Sequence, residues 1–387
     1  MQALPHHLVH GGQMVQPDFS VAFSEILEQP DLLARLRDTR DAWARPFVDL
    51  CREHDFKRVL FVGNGSPYYV GRTLRYATER LLGANVDPVM AGEFAFHGLF
   101  DCTGGLDPGE VLLVCPAETG HSRGQVDAAR RARHTGVPVV CTTLNPHGVL
   151  ARECDVVLAK PGSGERSIAA TKNQTMALYM LLSCLVEAGH VLGSLGDGEY
   201  ARALLALDSV PDNVRETISI SRDWYLRNRE RLLSAPGFFL VGYGANYGTC
   251  LEGTLKFVEC HERPTQAVQL EETLHGPLRS LHRDDVMLLL STEAGCERDR
   301  MTLLSRQLPR YCDNIVIIDS LFQGEIPGVP IDNTLSISSS DFPDVCSIEY
   351  LVPLQVIAVL LAQDIGIDLT VPKVPELDPV MLPAYED

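Results

Sequence analysis

The chain lacks any excess of positive charge: 33 Lys and Arg stand against 51 Asp and Glu, a net charge of −18. Phosphate backbones and anionic bilayers recruit net positive surfaces, so neither nucleic acid nor a membrane is expected as a main partner. A small anionic ligand needs only local donors and stays open. No run reaches membrane-spanning length without a charge or a breaker, and Met1 to His7 shows no basic region followed by an apolar one. Both absences point to a cytoplasmic protein. The eleven cysteines include no CxxC pair, and several sit in apolar, strand-like runs. That pattern fits buried, reduced thiols and argues against a disulfide framework or a zinc site.

What is present is a two-domain length of 387 residues with ordinary hydrophobic content, 45%. Residues 1–20 have no regular pattern, and helical segments follow, broken around Pro30. Apolar runs then alternate with helical periodicity. Val59-Leu60-Phe61-Val62, Val111 to Val114, Val139 to Cys141 and Val156 to Leu158 are strand candidates, and Met176 to Leu192 is a long apolar helix. A second cycle uses Phe238 to Val241, Val286 to Leu290 and Ile315 to Ile318, closing on a helix from Ile348 to Leu361. Strands that are apolar throughout predict parallel sheets covered by helices on both faces, an α/β fold.

The two cycles are copies. Phe61-Val62-Gly63-Asn64-Gly65-Ser66 matches Leu240-Val241-Gly242-Tyr243-Gly244-Ala245 at an offset of 179 residues. On that offset Glu259 falls opposite Arg80, so a carboxylate at this place belongs to the second copy alone.

Three loops invite a ligand. Gly63 to Ser66 joins a strand to a helix, where backbone N–H groups hold anions; it is equally a plain tight turn. It is not a dinucleotide fingerprint, because position 68 is Tyr and the third glycine is missing. Thr119, Gly120, Ser122 and Arg123 open the next helix with two hydroxyls and a guanidinium, which serve either as a phosphate cradle or as a helix cap. Glu165 to Lys172 offers small residues, Ala169 and Ala170, at the carboxyl end of the sheet. Farther on, Lys256 and Glu259 share a helix face and on their own read as a surface ion pair. His275 is held in a His-Gly-Pro corner.

In this order the motifs resemble the tandem SIS (sugar isomerase) domain family. That family includes the isomerase half of glucosamine-6-phosphate synthase, amino-sugar-phosphate deaminases and fructosyl-amino-acid-phosphate deglycases. The likeness rests on Glu25 to Pro30, Gly63 to Ser66, Glu93-Phe94, Thr119 to Ser122, Glu165 to Lys172, Leu251 to Glu259 and Glu272 to Pro277. With Gly366-Ile367-Asp368 and Pro372 it covers roughly residues 20 to 375. The resemblance implies an N-terminal arm and helices over 1–50, a first SIS domain with the phosphate and sugar loops over 51–195, and linker helices over 196–235. A second SIS domain follows over 236–365 with the catalytic Glu and His, and a tail over 366–387.

The resemblance also implies roles. Glu259 is the base that moves a proton between C1 and C2, with Lys256 beside it. His275 is the ring-opening acid, reaching a neighbouring subunit's site in a homodimer with shared active sites. Glu272 or Lys256 tunes the pair. Gly65, Ser66, Thr119, Gly120, Ser122 and Arg123 cradle phosphate, and Ala169, Ala170 and Thr171 lie along the sugar beside Glu165. Lys373 stands close to the family's tail lysine. No metal or organic cofactor is implied.

This sequence departs from the family where Ser-x-Ser-Gly-x-Thr becomes Ala117-Glu118-Thr119-Gly120-His121-Ser122, which loses one hydroxyl and adds a carboxylate. Pro67 stands where relatives place Ser. No glutaminase domain or N-terminal nucleophilic Cys is seen, so breakdown rather than glutamine-driven synthesis is expected. The expected activity is release of ammonia or an amino acid from an amino sugar or fructosyl-amine, taken as the 6-phosphate. The alternatives are a plain aldose–ketose isomerase and a non-catalytic sugar-phosphate-binding regulator.

Overall fold

The computed structural model describes residues 20–97, 105–292, 295–320, 333–377 and 384–386. The expected arm over 1–19 and Cys102 lie outside the described residues. Three helices lead in: α1 (Ser20–Leu27), α2 (Gln29–Asp38), with Pro30 in its first turn, and α3 (Arg40–Glu53). The first sheet then follows as β1 (Arg58–Gly63), α4 (Ser66–Leu82), β2 (Asn85–Met90), α5 (Ala91–Phe96), β3 (Val111–Pro116), α6 (Arg123–Thr135), β4 (Val139–Thr143) and β5 (Val156–Ala159). α7 (Lys172–Leu192) closes it. Residues 196–235, expected as several linker helices, form one 38-residue helix, α8 (Asp197–Ser234).

The second sheet repeats the plan with β6 (Phe238–Gly242), α9 (Ala245–His261), β7 (Thr265–Gln269), β8 (Val286–Leu290), α10 (Cys296–Gln307), β9 (Asn314–Ser320) and β10 (Thr334–Ile337). α11 (Pro343–Glu349) and α12 (Leu351–Ile365) finish the fold. The strand orders are β2-β1-β3-β4-β5 and β10-β9-β8-β6-β7, every pairing parallel. Counted within each copy, these are the same order. The repeat seen in the sequence is therefore a repeat of topology.

Side chains explain why these strands are apolar throughout. In β1, Val59 and Phe61 enter the central core, while Leu60 and Val62 face a second cluster with α5 and α6. In β6, Phe238 and Leu240 enter that same central core, and Phe239 and Val241 face the outer cluster that holds Met301 of α10. Successive residues alternate faces, and both faces are covered. The central core is shared: α4, α7, α9 and α12 contribute side chains to the one cluster that holds residues of both sheets. This is why α7 and α12 are apolar nearly all round. Two helical stretches, α7 and 343–365, are long and apolar enough to cross a membrane, but 78% and 94% of their most apolar windows are buried.

The strands absent from the apolar runs are β2, β7 and β10. All three are edge strands and only half buried. β2 even holds Pro88, tolerated because an edge strand leaves one side of its backbone unpaired.

The two copies meet through α4 and α9. Gly248 lies at their crossing, where an added Cβ would sit 2.5 Å from the Thr73 backbone. The missing side chain lets the two helices approach closely enough for residues of one to bond residues of the other.

Candidate active site

Each copy places its first glycine turn at the carboxyl end of its sheet, where β1 and β3 diverge in the first and β6 and β8 in the second. Ligands bind at such switch points in open α/β sheets. Gly65 (φ 58°, ψ −132°) and Gly244 (φ 55°, ψ −138°) share a backbone conformation that only glycine adopts readily. The two crevices then differ. Asn64 is exposed in the first. Its repeat partner Tyr243 is fully buried and its hydroxyl accepts the Thr292 N–H at 3.0 Å. Tyr350 donates to the Ser291 carbonyl beside it at 2.9 Å. In the second copy buried aromatic side chains thus occupy the place that exposed Asn64 leaves free in the first.

At the first crevice the helix crossing assembles a charged cluster. Ser66, the first residue of α4, donates to Glu252 Oε1 at 2.9 Å. Lys256 Nζ lies 3.3 Å from Ser66 Oγ, 3.4 Å from Glu252 Oε1 and 2.7 Å from Glu259 Oε2. The reading of Lys256 and Glu259 as a surface pair is corrected here. The lysine side chain is 1% exposed and Glu252 0%, while Glu259 keeps 25%. Burial pushes the Glu252 carboxyl up to about 7, with Lys256 pulling it down and Glu259 pushing it up. Burial also works against the Lys256 charge, but the two carboxylates outweigh it and hold the ammonium above its usual value. The outcome is a permanent buried cation under one partly exposed carboxylate.

The second loop, after β3, joins the third. Thr119 and Ser122 are exposed, and Gly120 (φ 77°) lies against Leu150 and Thr143. Glu118 Oε1 accepts the Glu165 N–H at 2.8 Å. Glu165 turns its own carboxylate inward: Oε1 takes the N–H of Thr171 (2.7 Å), the N–H of Lys172 (2.6 Å) and the Thr171 hydroxyl (2.9 Å). It caps α7 and shapes the loop that holds buried Ala169 and half-buried Ala170. Glu25 of α1 clamps the same loop through the Arg166 N–H (2.5 Å) and the Ser167 N–H (3.3 Å). The tail joins it as the Leu369 carbonyl accepts the Ile168 N–H at 2.8 Å.

Other expected residues stand apart. His275 is exposed, at the end of a short 3-10 turn, and no contact links it or exposed Glu272 to Lys256 or Glu259. Arg123 faces Asp127 at 3.5 Å and the Tyr385 ring at 5.7 Å, on the outer flank of α6. Lys373 pairs with Glu262 at 2.7 Å. Among the described residues no three His, Cys, Asp or Glu side chains converge as metal ligands, and ten cysteines are free.

Two residues of the site carried a readable signal that the loop motifs obscured. Glu252 lies four residues before Lys256, one turn away on the same face. Lys160 directly follows the apolar strand β5 and is buried, with Nζ donating to the carbonyls of Ala117 (2.8 Å) and Asn173 (3.1 Å). Burial lowers Lys160 to about 8, against the pull of Glu118 and Glu165.

Residues 54–184 match the SIS domain model. The glutamine–fructose-6-phosphate aminotransferase (isomerizing) of Bartonella quintana is 24% identical over 358 residues, covering 90% of this chain and 57% of that protein. The chain thus spans a little over half the length of that curated relative. The C-terminal domain of glucosamine-fructose-6-phosphate aminotransferase from Francisella tularensis has a TM-score of 0.81 at 19% identity, covering 91% of this chain and 98% of that one. Glucosamine-6-phosphate deaminase from Thermotoga maritima has a TM-score of 0.69 at 21% identity, covering 92% and 98%. At these identities the structural likeness is one of fold.

Proposed function

We propose that this chain, whose residues 54–184 match the SIS domain model, is an enzyme that shifts a proton between C1 and C2 of an amino sugar or fructosyl-amine and so releases ammonia or an amino acid. The observation that carries the reading is Glu259: a partly exposed carboxylate held 2.7 Å from a buried ammonium that also reaches Ser66 of the first glycine turn. The ammonium aims the carboxylate, as a base acting beside a carbonyl requires. On an open-chain 2-amino sugar, Glu259 takes the C2 proton to give an enolamine and returns a proton to C1. The resulting C2 iminium is hydrolysed, so nitrogen leaves and a ketose remains. On a fructosyl-amine the proton moves from C1 to C2, and the C1 iminium loses the amino acid. The test is a panel of glucosamine, galactosamine and fructosyl-amino acids, each with and without a 6-phosphate, read by free amine. Aldose–ketose interconversion with no amine release from any of them would instead assign a plain isomerase.

His275 is exposed and apart from Glu259 within one chain, so its proposed ring-opening role requires a second copy. In a twofold dimer with shared sites, Glu259→Gln and His275→Ala subunits complement each other. One of two sites in each mixed dimer pairs an intact Glu259 with an intact His275. Mixing the two inactive variants under subunit exchange is expected to restore about a quarter of wild-type activity. No restoration, with exchange verified by mass spectrometry, would remove the shared-site role of His275.

A further inference from the structure

We propose that Lys160 is a positioning residue for the substrate's phosphate. Its buried ammonium ties the loop after β3 to the start of α7 and offsets the Glu118 carboxylate, so that an anionic end can bind at Thr119 and Ser122. The inference rests on the expectation that this loop takes the substrate's 6-phosphate. It goes beyond that expectation by naming the cation that admits a phosphate beside a carboxylate.

The loop after β3 has donors for an anion. Thr119 and Ser122 are exposed. Ser122 is the N-cap of α6 yet makes no side-chain cap bond, so its hydroxyl is not spent on the helix. The positive end of the α6 dipole stands beside it. The obstacle is Glu118, next in sequence to Thr119. Its Oε1 accepts the Glu165 N–H at 2.8 Å, and its carbonyl accepts the Leu144 N–H at 2.7 Å and the Thr143 hydroxyl at 3.2 Å. Anchored through side chain and main chain, the carboxylate stays beside the loop, where its charge opposes a phosphate dianion.

Other cations of the adjoining segments are drawn to carboxylates of their own or stand in solvent. Arg123 faces Asp127 at 3.5 Å, and Lys172 pairs with Glu28 at 2.7 Å. Arg166 is exposed, where water and salt weaken its field. Lys160 differs from all three. It is 7% exposed, and its Nζ donates to the carbonyls of Ala117 at 2.8 Å and Asn173 at 3.1 Å. Ala117 immediately precedes Glu118, and Asn173 lies in the first turn of α7, so one ammonium joins the two segments that border the site. Both partners are neutral carbonyls, which leave its charge to act on the surroundings. Glu118 and Glu165 favour the charged lysine, while burial opposes it. Glu118 also adds to the effect of burial in raising Glu165. The three groups therefore act on one another where solvent screens little. An apolar side chain would fill the same space without the cost of burying an ammonium. What the lysine adds is a positive charge on the buried side of Glu118.

Calorimetric titration with open-chain polyols tests this without requiring turnover. Glucitol 6-phosphate and glucitol are titrated into the wild type, Lys160→Met, Glu118→Gln and the double variant, with thermal melts to check folding. Gln at position 118 keeps an acceptor for the Glu165 N–H. The wild type is expected to prefer the 6-phosphate, Lys160→Met to bind it about tenfold more weakly, and Glu118→Gln to restore most of that loss in the double variant. A lysine that only tied two segments together would not be rescued by a change at Glu118. Failure of the rescue therefore overturns the proposal, as does an equal loss toward both polyols. Should Lys160→Met not fold, Glu118→Gln alone decides: with Lys160 unopposed, it should bind the 6-phosphate several-fold tighter, and unchanged or weaker binding overturns the proposal. A wild type without preference for the 6-phosphate would remove the phosphate expectation and this inference with it. A wild-type preference that Lys160→Met leaves intact would remove this inference alone.

Discussion

Glu259→Gln is expected to lower kcat about 10³-fold on whichever amino sugar the enzyme turns over, with KM changed little. The carboxamide has nearly the shape of the carboxylate and still accepts from Lys256, so substrate binding and fold persist. What it cannot do is take a proton from carbon. Three features favour a large effect: Glu259 is partly exposed, it is the only member of its cluster that is, and its neighbour Lys256 cannot move away. Glu259→Asp should fall between, because the carboxylate survives but withdraws by one methylene from the reacting carbon. Steady-state kinetics on the three proteins decide the matter. Undiminished turnover by Glu259→Gln would mean that proton transfer lies elsewhere.

Much of this architecture was legible before any coordinates. The apolar strands could be read because side chains on both faces are buried, and the repeat because both copies reuse one glycine turn. β2, β7 and β10 escaped because their polar residues erase the apolar run, whereas β5, also an edge strand, keeps one from Val156 to Leu158. At the site, the sequence marked the loops and Glu259 but could not tell an ion pair at the surface from one inside. That depends on where α4 crosses α9, which Gly248 allows and no local pattern reveals. The direction of a side chain was equally hidden. Glu165 faces its own helix and Arg123 faces outward, although both lie in segments where the family resemblance expects a ligand. Tyr243 shows the converse case. One aromatic in place of Asn64 fills this position in the second copy, its ring buried and its hydroxyl accepting the Thr292 N–H.

Lys256→Met is expected to destabilise the fold by roughly 3–5 kcal/mol near pH 8 and to abolish activity, because it leaves two carboxylates facing each other without their cation. The loss should shrink as the pH falls. In the wild type, Glu252 is raised from 4.5 to about 7, so the folded protein binds this proton more tightly than the unfolded chain. Its contribution to stability is complete below about pH 4.5 and disappears as the pH rises through about 7. The 2.5-unit difference between 7 and 4.5 corresponds to roughly 3 kcal/mol over that window. The raised Lys256 acts at higher pH: its contribution is intact below its ordinary 10.5 and absent only above its folded value. Removing the lysine drives Glu252 further toward its neutral form. In acid that form already predominates and the deletion costs little; in base the proton must be held against solvent. Urea unfolding of the wild type and Lys256→Met at pH 5.5 and pH 8 measures the difference directly. An equal loss at both pH values would show that Glu252 is not the titrating group. Adding Glu252→Gln to Lys256→Met should then recover most of the stability at pH 8 without recovering turnover. A neutral carboxamide removes the buried like charge, but only the ammonium holds Glu259 in place as a base.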